Sequence, residues 1–186
     1  MELARPLHEA LALLDLDPDG RGSLATVAPA CRASAAALLE LVLQQRIAVN
    51  GAVQVLSVDP TRDDTLDETL GEIAAAPPLP TVEWLKRLAL CVAHHRPRGR
   101  KALDDRGELM DTLRAALFDG TSASPRLAMT LALVSIFRME AALFGHEHPR
   151  ARARAREILA QPGLLDAGQA EALSAVAVAV QMVVWS

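Results

Sequence analysis

Tyrosine is absent from this chain. Two tryptophans and three phenylalanines are its only large aromatics, 3% of residues against an apolar fraction of 51%. A core built without such rings is one of alanine, leucine and valine, which favours closely packed helices. Lysine is scarce as well: of 19 basic residues only Lys86 and Lys101 are lysines, and with so much alanine this is the composition of a GC-rich bacterial genome. The two cysteines, Cys31 and Cys91, sit in apolar surroundings with no metal-type or disulfide-type spacing. Both read as buried free thiols of a reducing compartment. Positive charge is not in excess either. A formal net charge of −4 excludes the broad basic footprint of a nucleic-acid binder, and attachment to an anionic membrane would need a local basic patch. The start, MELARPLHEAL, is amphipathic and charged, unlike a signal peptide. The uncharged run after Glu171 is broken by Gln181 and is short against the roughly 20 residues of a span.

What the chain does have begins at Ala35. The run AAALLELVL predicts a buried helix, and Glu40 stands inside it with no side assigned. Asn50-Gly51 follows, flanked by Ile47, Val49, Val53, Val55 and Val58. Both turn residues tolerate positive φ, so the spacing predicts a β-hairpin closed by a two-residue type I′ turn. Asp59-Pro60-Thr61 stops the second strand. Asp63 or Asp64 then caps a helix carrying Leu66, Leu70 and Ile73.

The remaining elements follow from periodicity. Leu7, Leu11 and Leu14 predict a helix over Pro6 to Leu16, ended by the turn DPDGRG. Its aspartates mimic a calcium loop, but the twelfth position is Thr26 where a bidentate Glu is needed. Ser23 to Pro29 reads as a short strand or loop. A linker, Ala74 to Pro80, precedes a helix capped by Thr81 and carrying Trp84, Leu85 and Leu88. Asp105 to Phe118 forms the next helix, closed at Asp119-Gly120. Ser124-Pro125 opens a long apolar helix to Phe144. In Arg150 to Arg156 the arginines split into pairs on either side of an apolar strip of Ala151, Ala155 and Ile158. The last helix, Asp166 to Val184, is apolar nearly all round and is expected near the centre of the bundle.

One dense basic cluster stands apart: Arg96, Arg98, Arg100 and Lys101, read as a loop partly neutralised by Asp104 and Asp105. With Arg32 these form the candidate anion- or lipid-binding residues. His94 and His95 are adjacent and point different ways on a helix, and His146-x-His148 lacks a nearby acid or thiol, so no metal is expected. His94, His95, His146, Asp59 and Glu40 are the acid/base candidates. Nothing pairs a nucleophile with a base and no Gly-rich phosphate loop is present, so no catalytic residue and no cofactor is assigned.

Taken in order, several segments resemble the Golgi phosphoprotein 3 family in its short actinobacterial form. They are the first leucine-rich helix with DPDGRG, Leu38-Leu39-Glu40-Leu41, Gln45-Arg46-Ile47, Ser57 to Thr61 with Leu66 to Leu70, Val82-Glu83-Trp84-Leu85, Arg126 to Phe144, and Arg150 to Leu159. The resemblance implies a mainly α, single-domain helical bundle with a small β-hairpin, spanning residues 1–186. Eukaryotic relatives are peripheral membrane proteins that bind phosphatidylinositol-4-phosphate through a tryptophan and arginines and recruit cargo. Here Ala25 stands at the tryptophan's place and Ser34 at that of a neighbouring arginine, so the family's lipid site is degraded. Between Trp84 and Leu109 the chain is too short for the family's long helix and apolar hairpin. The expected role is a non-catalytic adaptor at the inner face of the membrane or in the cytoplasm. Its partner is an anionic membrane surface, a protein or its own copy, with no nucleic acid. A soluble scaffold or a pocket for a bacterial metabolite are the alternatives.

Overall fold

The computed structural model describes residues 3–16, 29–91 and 100–184, the side chains at 90 and 91 excepted. Helices α1 (Leu7–Leu14) and α2 (Pro29–Leu43) lead into a hairpin of β1 (Ile47–Val49) and β2 (Val53–Val55). Next come α3 (Asp64–Ala74), α4 (Thr81–Cys91) and α5 (Arg100–Phe118). The chain ends with α6 (Pro125–Ile136), α7 (Glu140–Phe144), a 3-10 turn at Gly145–Glu147, α8 (His148–Leu159) and α9 (Ala167–Val184). The architecture is mainly helical with a small antiparallel hairpin, as expected. The aspartates of the DPDGRG turn beyond Leu16, the segment from Ser23, Ala25 and Trp185 lie outside the described residues.

The apolar run predicted to be buried is the centre of the molecule. Ala35 to Leu41 are all buried in α2, which packs against α1, α4, α6 and α9. Full burial of a leucine such as Leu38, Leu39 or Leu41 contributes about 1.5–3 kcal/mol relative to leaving it exposed. The helix ends without a glycine. Gln45 takes the left-handed conformation, φ +55°. The Arg46 N–H then donates to the Leu41 carbonyl at 2.8 Å and the Gln45 N–H to the Val42 carbonyl at 3.0 Å. This is a Schellman closure, and it aims the chain directly into β1.

The hairpin forms where Asn50-Gly51 places it, but its turn differs from the expected one. Ile47 pairs with Val55, Ala48 with Gln54 and Val49 with Val53, so Asn50, Gly51 and Ala52 all lie in the loop. Gly51 has φ +87° while Asn50 keeps a negative φ, and a type I′ turn needs both positive. The linker before α4 lies along this hairpin: the Val53 N–H donates to the Leu79 carbonyl at 3.0 Å, and Ala52 bridges Pro80. Asp63 is the cap of α3, its carboxylate accepting the Leu66 N–H at 3.0 Å. Thr81 does not cap α4. It is the first helical residue, and its buried hydroxyl has no hydrogen-bond partner.

Two helices in the C-terminal half of the chain, α6 and α9, depart from expectation. The long helix from Pro125 breaks at Phe137-Arg138, where Arg138 is left-handed at φ +54°. The Met139 N–H reaches the Val134 carbonyl at 2.9 Å and the Arg138 N–H the Ser135 carbonyl at 3.1 Å, so the same closure as in α2 ends α6. The helical path after the break is bent 108° from α6. The second departure is α9, which is not central. It lays Ala172, Val176, Ala179 and Val180 inward, with α2 and α4 as its main neighbours, and leaves Val178 and Met182 each 56% exposed. Its outward row also carries Glu171, Ser174 and Gln181, exposed with them. The helix is therefore amphipathic enough to lie on the flank while α2 takes the middle.

Candidate functional site

The candidate anion-binding residues divide three ways. Arg100 and Lys101 are exposed in the first turn of α5, which starts earlier than the Asp105 start read from the sequence. Their charges add to the positive end of a helix whose leading N–H groups lack intrahelical acceptors. Arg96 and Arg98, with His94 and His95, lie outside the described residues. Arg32 does not join the others. It is buried on α2, only 2% exposed, with its guanidinium 2.6 Å from the Asp15 carboxylate. A cation held in an internal ion pair at the end of α1 cannot face an anionic surface. Asp105, expected to neutralise the cluster, is instead paired with Arg5 at 2.7 Å.

The strongest buried polar site was only half visible in sequence. Glu40 is fully buried. Its carboxylate accepts the Leu7 N–H at 2.9 Å, the Gln44 side chain at 3.0 Å, and Arg126 through Nε at 3.2 Å and Nη2 at 2.7 Å. Arg126 also donates to the Leu3 carbonyl at 3.2 Å. Pro6 offers no side-chain cap to α1, so a carboxylate from α2 serves the first helical N–H in its place. With its oxygens so committed, Glu40 is a fastening between α1, α2 and α6, and it is not poised for proton transfer.

The other acid/base candidates stand apart. Asp59 is exposed and accepts the Ser57 hydroxyl at 2.7 Å. His146 is exposed, and His148 Nδ1 lies 2.9 Å from the Gly145 carbonyl. Cys31 is a buried free thiol, and burial pushes its pKa up despite the nearby Arg32. Such a thiol is inert as a nucleophile. The side chain of Cys91 lies outside the described residues.

Two concavities among the described residues bear on these side chains. The arginines of α8 split as predicted around buried Ala151, Ala155 and Ile158. One pair lies beside Phe118: Arg150 sits 5.2 Å from its ring centroid, and Arg154 pairs with Glu157 at 2.7 Å. The other pair, Arg152 and Arg156, lines a groove of about 650 Å³ against α6 and α9, where Arg152 meets the buried Glu140 at 2.9 Å. The second concavity, about 490 Å³, opens between α1, the turn before α3, and α5, and His8, Glu9 and Asp63 line it. Sequence reading missed this cluster because Asp63 is far along the chain from His8.

Among known families, the sequence model described as Golgi phosphoprotein 3 (GPP34) matches residues 7–112. That range is more than half of the chain and runs from α1 into α5, with the hairpin inside it. No curated protein matches the chain.

Proposed function

The chain belongs to the Golgi phosphoprotein 3 family, and from that membership we propose that it is a non-catalytic adaptor that docks peripherally on an anionic surface. Family membership supports lipid or protein binding in general. The exposed Arg100 and Lys101 at the amino end of α5 carry the finer reading. In sequence they continue Arg96 and Arg98, which puts four cations within one short stretch of chain. Near an anionic leaflet each contributes about 1 kcal/mol. Four give modest, reversible and strongly salt-dependent attachment, which fits a cytoplasmic protein visiting the inner face of a membrane. Arg32 has no part in it. The degraded tryptophan–arginine site of the eukaryotic relatives favours charge-driven attachment over recognition of one headgroup. In this reading residues 1–186 act as one domain. The test is flotation with neutral and acidic vesicles: enrichment on acidic vesicles is expected, and equal recovery on both kinds would refute lipid docking.

A second reading, contact with a protein or with its own copy, is favoured by the outward row of α9, where Val178 and Met182 each stay 56% exposed. Sedimentation that gives a dimer broken by Val178→Glu would support it. A monomer at all concentrations would exclude self-association. Among the described residues α9 is also a helix long and apolar enough to cross a membrane by length and composition.

A further inference from the structure

We propose that the groove between α8 and α9 binds one free aliphatic monoanion, a single-chain carboxylate whose head is held by Arg152 and Arg156. The groove follows from the break at Arg138. The helical path turns by 108° there, so α8 packs back onto α6, and α9 packs on α6 as well. Between α8 and α9 lies a volume of about 650 Å³, within the roughly 300–1,000 Å³ of small-molecule sites. Its walls are apolar side chains that the core leaves partly open. They are Ile136 of α6, Leu159 of α8, Leu173 of α9, and Leu165 in the connection between the last two. Every residue lining the groove lies beyond residues 7–112, the range matched to the family, so family membership does not account for it.

Charge selects the occupant. Arg138, Arg152 and Arg156 line the groove with Glu140 as its acid, a positive excess in a chain whose formal net charge is −4. Arg152 and Arg156 stand one helical turn apart on α8 and are neighbours on one face. Arg152 is pinned at its Nε, which donates to Glu140 Oε1 at 2.9 Å. That uses one of the five N–H donors of a guanidinium, and the side chain stays 43% exposed. Arg156 is exposed and, among the described residues, forms no ion pair. Two guanidiniums beside an apolar trough suit a carboxylate head, which accepts paired N–H donors, with its hydrocarbon chain laid along the leucines. Glu140 sets the limit of one charge. It is buried, and its Oε2 has no hydrogen-bond partner, so a dianion would be repelled by it. A neutral chain leaves the guanidiniums unmatched, and an anion without a chain leaves the leucines uncovered.

The experiment is isothermal titration of the full chain with decanoate, below the concentration at which it forms micelles, beside acetate and decan-1-ol. One decanoate per chain is expected, with acetate and decan-1-ol each weaker by about tenfold or more. Arg156→Glu and Ser174→Glu put a negative charge on the α8 and α9 walls, both at exposed positions, and circular dichroism checks that they are folded. Each should weaken decanoate binding by about tenfold or more. Arg150→Ala, on the other side of α8, should leave it unchanged. Arg152 stays in place, because its removal would strand the buried Glu140 charge. No saturable decanoate binding by the unmodified chain would overturn the proposal, and so would equal affinity for decan-1-ol. Unchanged affinity in either folded variant, or an equal loss in Arg150→Ala, would overturn it as well.

Discussion

The buried Glu40 carboxylate accepts four hydrogen bonds, and Arg126 supplies two of them as its ion-pair partner. Arg126→Met leaves that charge without its counterion and should destabilise the fold by about 3–5 kcal/mol, read from urea denaturation midpoints. Pairing it with Glu40→Leu should cost less than the sum of the single changes, because the two residues share one interaction. Additive losses would show that they act separately. Asp67 gives a pH signature. Its carboxylate accepts the Thr61 N–H at 2.6 Å and the Thr61 hydroxyl at 2.7 Å, and these bonds hold its pKa below the usual carboxylate value. A group with a lowered folded pKa adds stability that is fully present above its unfolded value, about 3.9. That stability is lost as pH falls from there through the folded value. Asp67→Asn should therefore lower stability at neutral pH and flatten the acid limb of a stability–pH curve; an unchanged limb would contradict this. At this scale the sequence was half legible. Glu40 was conspicuous inside ALLELVL, but its partner lies 86 residues away, and periodicity carries no information over that distance. Arg32 misled for the opposite reason, since an arginine in a helix looks exposed until its internal partner is seen.

Among the elements, those announced by local chemistry were the readable ones. Asn50-Gly51 marked the hairpin, Ser124-Pro125 the start of α6, and the arginine spacing of α8 its buried strip. Of two termini closed without a glycine, the end of α2 by Gln45 was read and the break in the helix from Pro125 was not. Gln45 and Arg138 close their helices in the left-handed conformation at φ +55° and +54°, a geometry that sequence patterns assign to glycine or asparagine. The long helix from Pro125 was therefore read straight through its break. An L-residue in this conformation is strained by roughly 1–2 kcal/mol, while glycine loses part of that gain to its freer unfolded chain. Gln45→Gly should raise stability by a net of about 0.5–1 kcal/mol, visible as a higher Tm by calorimetry. A lower Tm would mean that the Gln45 side chain contributes more than its backbone costs. The hairpin turn was misassigned for a related reason. The linker at Leu79-Pro80 pairs with the second strand, so the loop answers to a tertiary neighbour as well as to its own residues.

Across the whole molecule, the buried surface is dominated by one contiguous cluster that reaches from Leu3 to Val180, with α2 at its centre. An alanine-rich sequence can place almost any of its helices inside. Hydropathy alone favoured α9, but its outward Glu171, Ser174 and Gln181 keep it on the flank. What remains for function is the surface: the basic start of α5, the outward row of α9 and the groove between α8 and α9. The central claim concerns the first of these. It is tested most directly by vesicle flotation of the unmodified chain and of a variant with Arg96, Arg98, Arg100 and Lys101 all changed to alanine, at low and at physiological salt. Charge-driven docking predicts recovery on acidic vesicles that falls as the Debye length shrinks to about 8 Å and is lost in the variant. Acidic-vesicle binding that persists in the variant, or none by the unmodified chain at low salt, would contradict it.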